Sequence, residues 1–126
     1  MTDTQHSVLI VDDNQELVMV LKDKFEMEGF TAHVAHDGEE GLTQALEHHP
    51  DIILLDVMMP KKDGWEVIAG LHEDEWGKDA KIILLTNLND MDSISKAVEA
   101  GNFEYFVKTD WEPGEIVARV KEMLQN

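Results

Sequence analysis

A chain of 126 residues has the length of one domain, and 43% apolar residues are enough for a self-supporting core rather than a disordered segment. The absence of cysteine excludes a disulfide framework and thiolate metal sites. Ten Lys and Arg stand against 27 Asp and Glu, and the resulting −17 argues against nucleic-acid and anionic-membrane partners. No basic leader opens MTDTQHSVLIV, and no apolar run approaches bilayer-spanning length, so the expectation is a cytoplasmic protein.

Strand-like and helix-like runs alternate along the chain. SVLIV (7–11) is short and almost wholly apolar, and residues 14–28 place Leu17, Val20, Leu21 and Phe25 at helical spacing before Gly29. TAHVAH (31–36) alternates as a half-exposed edge strand does. Asp37 and Glu40 have capping-box spacing ahead of a helix carrying Leu42, Ala45 and Leu46. DIILLD (51–56) is the most continuous strand. Asp63 and Glu66 repeat the capping pattern before Val67, Ile68 and Leu71. KIILLT (81–86) reads as a buried strand, followed by Met91, Ile94, Ala97 and Val98 at helical spacing, with Gly101 as the stop. NFEYFVK (102–108) is a fifth strand. Residues 112–125 put Ile116, Val117, Val120, Met123 and Leu124 on one helical face.

Five such β-α units, with strands buried on both faces, predict an α/β fold: a doubly wound parallel sheet with right-handed crossovers and helices on both faces. The expected organisation is a single domain over 1–126, with no output domain.

Four of the strands end in residues that carry chemistry. The first runs into Asp12 and Asp13, the third into Asp56, the fourth into Thr86 and the fifth into Lys108. Ligands of open α/β sheets bind beyond the carboxyl ends of the strands, where the strand order reverses. Each residue also has a plainer reading. Asp12 or Asp13 could cap the first helix, Asp56 could begin a turn, Thr86 could cap the next helix, and Lys108 could be solvated. Five polar residues at four strand ends are hard to assign to capping alone. Three carboxylates at about 4 Å would cost on the order of 4 kcal/mol per pair at an effective dielectric near 20, so a cation or a lysine must offset them. Hard oxygen donors suit Mg²⁺, and an aspartate can act as nucleophile toward a phosphoryl group.

LIVDDNQ (9–15), IILLDVMMPKKDGWE (52–66), IILLT (82–86) and YFVK (105–108) together make the sequence resemble a response-regulator receiver domain of the stand-alone type. The resemblance implies a flavodoxin-like sheet in the order 2-1-3-4-5 and a non-enzymatic role in two-component phosphorelay signalling. It implies Asp56 as phospho-acceptor, and Mg²⁺ held by Asp13, Asp56 and the Met58 carbonyl, with Asp12 acting through water. Lys108 and Thr86 would contact the phosphoryl group. Thr86 and Tyr105 would act as the switch that changes a partner surface on the fourth helix, fifth strand and fifth helix. The implied partners are a histidine kinase or phosphotransfer protein and a downstream protein target.

The sequence departs from the family pattern in three ways. Thr109 replaces the usual proline after the lysine, Asn87 follows Thr86, and Met58 and Leu88 are apolar at positions that could otherwise orient water. Slow hydrolysis of an aspartyl-phosphate is therefore expected. Two other readings compete. One is a docking module of the same fold that needs no phosphorylation. The other is a small Mg²⁺-dependent phosphohydrolase, against which Met58 occupies the place of a second acid. The six histidines show no chelating pair, and Trp65, Trp76 and Trp111 read as partial core packing rather than partner anchors.

Overall fold

The computed structural model describes residues 6–59, 62–87 and 104–124. Five parallel strands, β1 (Ser7–Val11), β2 (Thr31–Ala35), β3 (Ile52–Asp56), β4 (Ile82–Thr86) and β5 (Glu104–Val107), form one sheet in the order β2-β1-β3-β4-β5. The helices among the described residues are α1 (Gln15–Met27), α2 (Gly38–His48), α3 (Gly64–His72) and α4 (Pro113–Leu124), with a 3₁₀ turn at Gly77–Asp79. The helix predicted around 91–98, its stop at Gly101, Leu88, Pro60 and the first two residues of the predicted fifth strand lie outside the described residues.

The central strands are greasy because both faces are covered. Every residue of β3 and β4 is buried, whereas edge strand β2 is buried only at Ala35. Val8, Ile10, Ile52, Leu54, Ile83 and Leu85 point to one layer, where Phe25 of α1 and Val120 of α4 meet them. Leu9, Val11, Ile53, Leu55 and Leu84 point to the other, under Ala45 of α2 and Leu71 of α3. This alternation is the period-two pleat, and each large apolar side chain fully buried there contributes about 1.5–3 kcal/mol. On α1 the predicted stripe is displaced. Val18, not Val20, joins Leu21 and Phe25 in the core, and Val20 is exposed, because the helix rests on the sheet over the 18-21-25 face. Leu46 of α2 is likewise exposed.

The capping signals read from sequence act as expected at two helices. The Asp63 carboxylate accepts from the Glu66 N–H (2.9 Å) and Glu66 accepts from the Asp63 N–H (3.2 Å), a complete capping box. Asp37 accepts from the Glu40 N–H (2.8 Å), but the Glu40 carboxylate turns to the His36 N–H (2.7 Å). α1 is capped by Asn14, which accepts from the Leu17 N–H at 3.1 Å. Asp12 and Asp13 are therefore not spent on capping. Trp65, Trp76 and Trp111 pack partly buried against the two core layers.

Candidate functional site

β1 and β3 are adjacent, with Val11 level with Leu55, so the chain positions that follow them come out side by side. β2 and β4 lie on either side of this pair, which makes it the point where the strand order reverses. One oxygen each from Asp12, Asp13 and Asp56 lies within 4.8 Å of the others. Asp12 is fully buried and Asp56 nearly so, while Asp13 is exposed at the rim. β5 brings in Lys108, whose Nζ stands 2.7 Å from Asp12 Oδ2 and 3.4 Å from Asp56 Oδ2. Its backbone N–H donates to the Thr86 carbonyl (2.7 Å), continuing the β4–β5 ladder past the last strand residue.

Backbone donors hold the remaining carboxylate oxygens. Asp12 Oδ1 accepts from the Asn14 N–H (2.9 Å), and Asp56 Oδ1 accepts from the Met58 N–H (3.3 Å). Among the described residues, Lys108 is the group that meets the charge on Asp12 Oδ2. Burial pushes the Asp56 carboxyl up to about 7; Asp12 adds to the rise, while Lys108 and the Met58 N–H oppose it. Burial alone would lower the Lys108 ammonium, but the two aspartates outweigh it and hold it above its ordinary value. One ammonium thus neutralises only part of a three-carboxylate cluster. The donors are hard oxygens carrying more negative charge than one lysine offsets, and this set fits a divalent cation of the Mg²⁺ type.

Asp12, Asp13, Asp56 and Lys108 come together at the strand ends. Thr86 is buried at the end of β4, where its hydroxyl donates to the Asn87 carbonyl at 3.0 Å. Asn87 itself is exposed. Tyr105 is 38% exposed on β5. It lies one residue from Phe106, which points into the α1/α4 layer, so Tyr105 and Lys108 leave opposite faces as strand parity predicts. The Met58 side chain is exposed and its backbone faces Asp56. Every described peptide bond, Lys108–Thr109 included, is trans. The part played by Asn14 was not foreseen. It caps α1 and its N–H orients Asp12, and the Asp-x-Asn spacing at 12–14 was the available signal. Histidine rings pair where no chelate was expected: His33 stacks on His48 (3.9 Å) and His49 on Trp76 (4.3 Å).

The doubly wound sheet is of the flavodoxin-like type and carries an acid trio and a lysine at its reversal point. The response regulator receiver domain model matches residues 8–121, and the chain belongs to that family. It is 38% identical over 120 residues to the transcriptional regulatory protein CpxR of Escherichia coli K12, covering 95% of this chain and 50% of that protein. It is 37% identical over 123 residues to the probable transcriptional regulator ycf27 of Guillardia theta, covering 98% of this chain and 47% of that protein. The chain therefore spans about half the length of these curated relatives. Among solved structures, a chain of the CheX-CheY-BeF3-Mg²⁺ complex from Borrelia burgdorferi superposes with a TM-score of 0.79 at 30% identity, over 94% of this chain and 89% of that one. No helix among the described residues is long and apolar enough to cross a membrane.

Proposed function

We propose that the chain is a phosphorelay receiver that accepts a phosphoryl group on Asp56 and changes its protein partner as a result. The observation that carries this reading is the cluster itself: three carboxylates within 4.8 Å and a lysine ammonium 2.7 and 3.4 Å from two of them. Asp13, Asp56 and the Met58 carbonyl are suited to hold Mg²⁺ directly, with Asp12 acting through water. The cation would supply charge neutralisation to the oxygens of the incoming phosphoryl group.

An Asp56 carboxylate oxygen attacks phosphorus in line. The new O–P bond forms as the bond to the donor breaks, and the leaving group, an imidazole or a small carboxylate, departs with its electron pair. Lys108 holds two acids in place and offers its ammonium to the phosphoryl oxygens. The Thr86 hydroxyl, which donates to the Asn87 carbonyl, would turn to the phosphoryl group, and Tyr105 would then move inward. The donor is a histidine kinase or a phosphotransfer protein, and the output is a protein target. On this reading the chain catalyses only its own phosphorylation and dephosphorylation.

Incubation with acetyl phosphate and Mg²⁺ tests the reading. Intact mass should rise by one phosphoryl group in the wild type and not in Asp56→Asn. No gain in the wild type, or an equal gain in the variant, removes it. Partner capture that is identical for wild type and Asp56→Ala, with and without the donor, would favour a docking module that needs no phosphoryl group.

A further inference from the structure

α2 lies against both arms of the acid site, and it does so through glycines. A Cβ on Gly38, in its first turn, would run into the backbone carbonyl of Lys62 and come within 2.8 Å of the Lys62 Cβ. One turn on, a Cβ on Gly41 would come within 2.7 Å of Val11 Cγ1, and Val11 is the residue before Asp12. Lys62 belongs to the segment that leaves Asp56 and enters α3. That segment carries the Met58 N–H that bonds Asp56 Oδ1 and closes with the Gly64 N–H donating to the Val57 carbonyl (2.9 Å).

The α2 side of the Gly38–Lys62 contact does not yield easily. The start of α2 is fixed by the Asp37–Glu40 and His36–Glu40 hydrogen bonds. Behind it, Ala45 is fully buried, and Leu42 packs so closely on α3 that a Cβ on Gly70 would come within 2.6 Å of Leu42 Cδ2. Moving α2 outward would open that layer. A side chain at position 38 is therefore expected to displace Lys62, and with it the peptide that orients Asp56.

We propose that Gly38 is a positioning residue of the acid site: its missing side chain lets α2 brace the Lys62 carbonyl and so sets where the Met58 peptide stands relative to Asp56. The inference rests on the reading of Asp56 and its neighbours as a cation-assisted phosphorylation site. Groups that orient metal-binding side chains typically change affinity by 10–100-fold when altered. The expected result for Gly38→Ala is about tenfold weaker Mg²⁺ binding.

Two measurements test it. Amide NMR spectra without added metal should show the Met58 and Gly64 signals shifted in Gly38→Ala. Calorimetric titration should show the weakened Mg²⁺ affinity. Ala45→Gly, in the buried middle of the same helix, is the control: it lowers stability by helix propensity and lost packing, yet should keep the wild-type Mg²⁺ affinity and Met58 signal. Wild-type signals and affinity in Gly38→Ala, or an equal loss of affinity in Ala45→Gly, overturn the proposal. Should Gly38→Ala fail to fold, Glu40→Ala removes the bond to the His36 N–H that fixes the start of α2 and so slackens the same contact; an unmoved Met58 amide there overturns it equally. A wild-type protein that ignores Mg²⁺ would instead refute the site reading, and the amide shifts would still decide the brace.

Discussion

Asp56 is held in tension between burial and neighbouring charge. Its folded-state carboxyl titrates near 7, against 3.8 in an unfolded chain. Between those values the native protein holds a proton that the unfolded chain has lost, so this group's stabilising contribution is complete below about pH 4 and is lost as pH rises toward 7. Asp56→Asn removes the loss. Without divalent cations the variant should be more stable than wild type by roughly 2–4 kcal/mol at pH 7 and nearly equal to it at pH 4, as read from urea unfolding at both values. Equal stabilities at pH 7 would contradict the buried, crowded carboxylate. Beside it, Met58 exposes an apolar side chain that cannot orient an attacking water. A phosphorylated wild type should therefore hydrolyse slowly, and Met58→Asn should shorten the phosphoryl lifetime severalfold, followed as loss of the phosphoryl mass. Polar and apolar residues giving the same lifetime would show that water at this position does not limit the reaction.

At the scale of single elements, local chemistry decides where helices start and packing decides which way they face. The Asp63–Glu66 box was visible from spacing alone because both of its bonds lie within four residues. Asp63→Ala should cost about 1 kcal/mol, measured as a shift in the denaturation midpoint at unchanged slope. The sequence offered Asp12 or Asp13 as the cap of α1. Asp12 is withdrawn into the sheet end, and Asn14 is left to serve. The displacement of the α1 stripe from Val20 to Val18 has a different cause. Both fit a helical period, and only the angle at which α1 crosses the sheet distinguishes them. The strands were legible because β3 and β4 are apolar throughout, a pattern that suits few positions other than the centre of a covered sheet.

At the scale of the molecule, 17 uncompensated negative charges oppose compaction. Raising NaCl from about 10 to about 150 mM shortens the screening length from about 30 to about 8 Å. Thermal unfolding in EDTA should therefore move to higher temperature over that range, and a flat response would mean that the charge is already paired locally. The strand order, and hence the meeting of Asp12 and Asp13 with Asp56, was legible only through family resemblance. No local signal says which strand lies beside which, since parallel neighbours pair residues far apart in the chain. The Gly38–Lys62 contact was illegible for the same reason.

That separation has a thermodynamic corollary. Asp13 and Asp56 stand close only after β1 and β3 have paired, so the random coil offers no comparable chelate, and on the proposed reading of the site free magnesium becomes a variable of the folding equilibrium. Mass action then requires conformational stability to climb with the logarithm of cation concentration, by about 2.7 kcal/mol at one hundred times the dissociation constant. The same titration on Asp13→Ala should give a shallower climb.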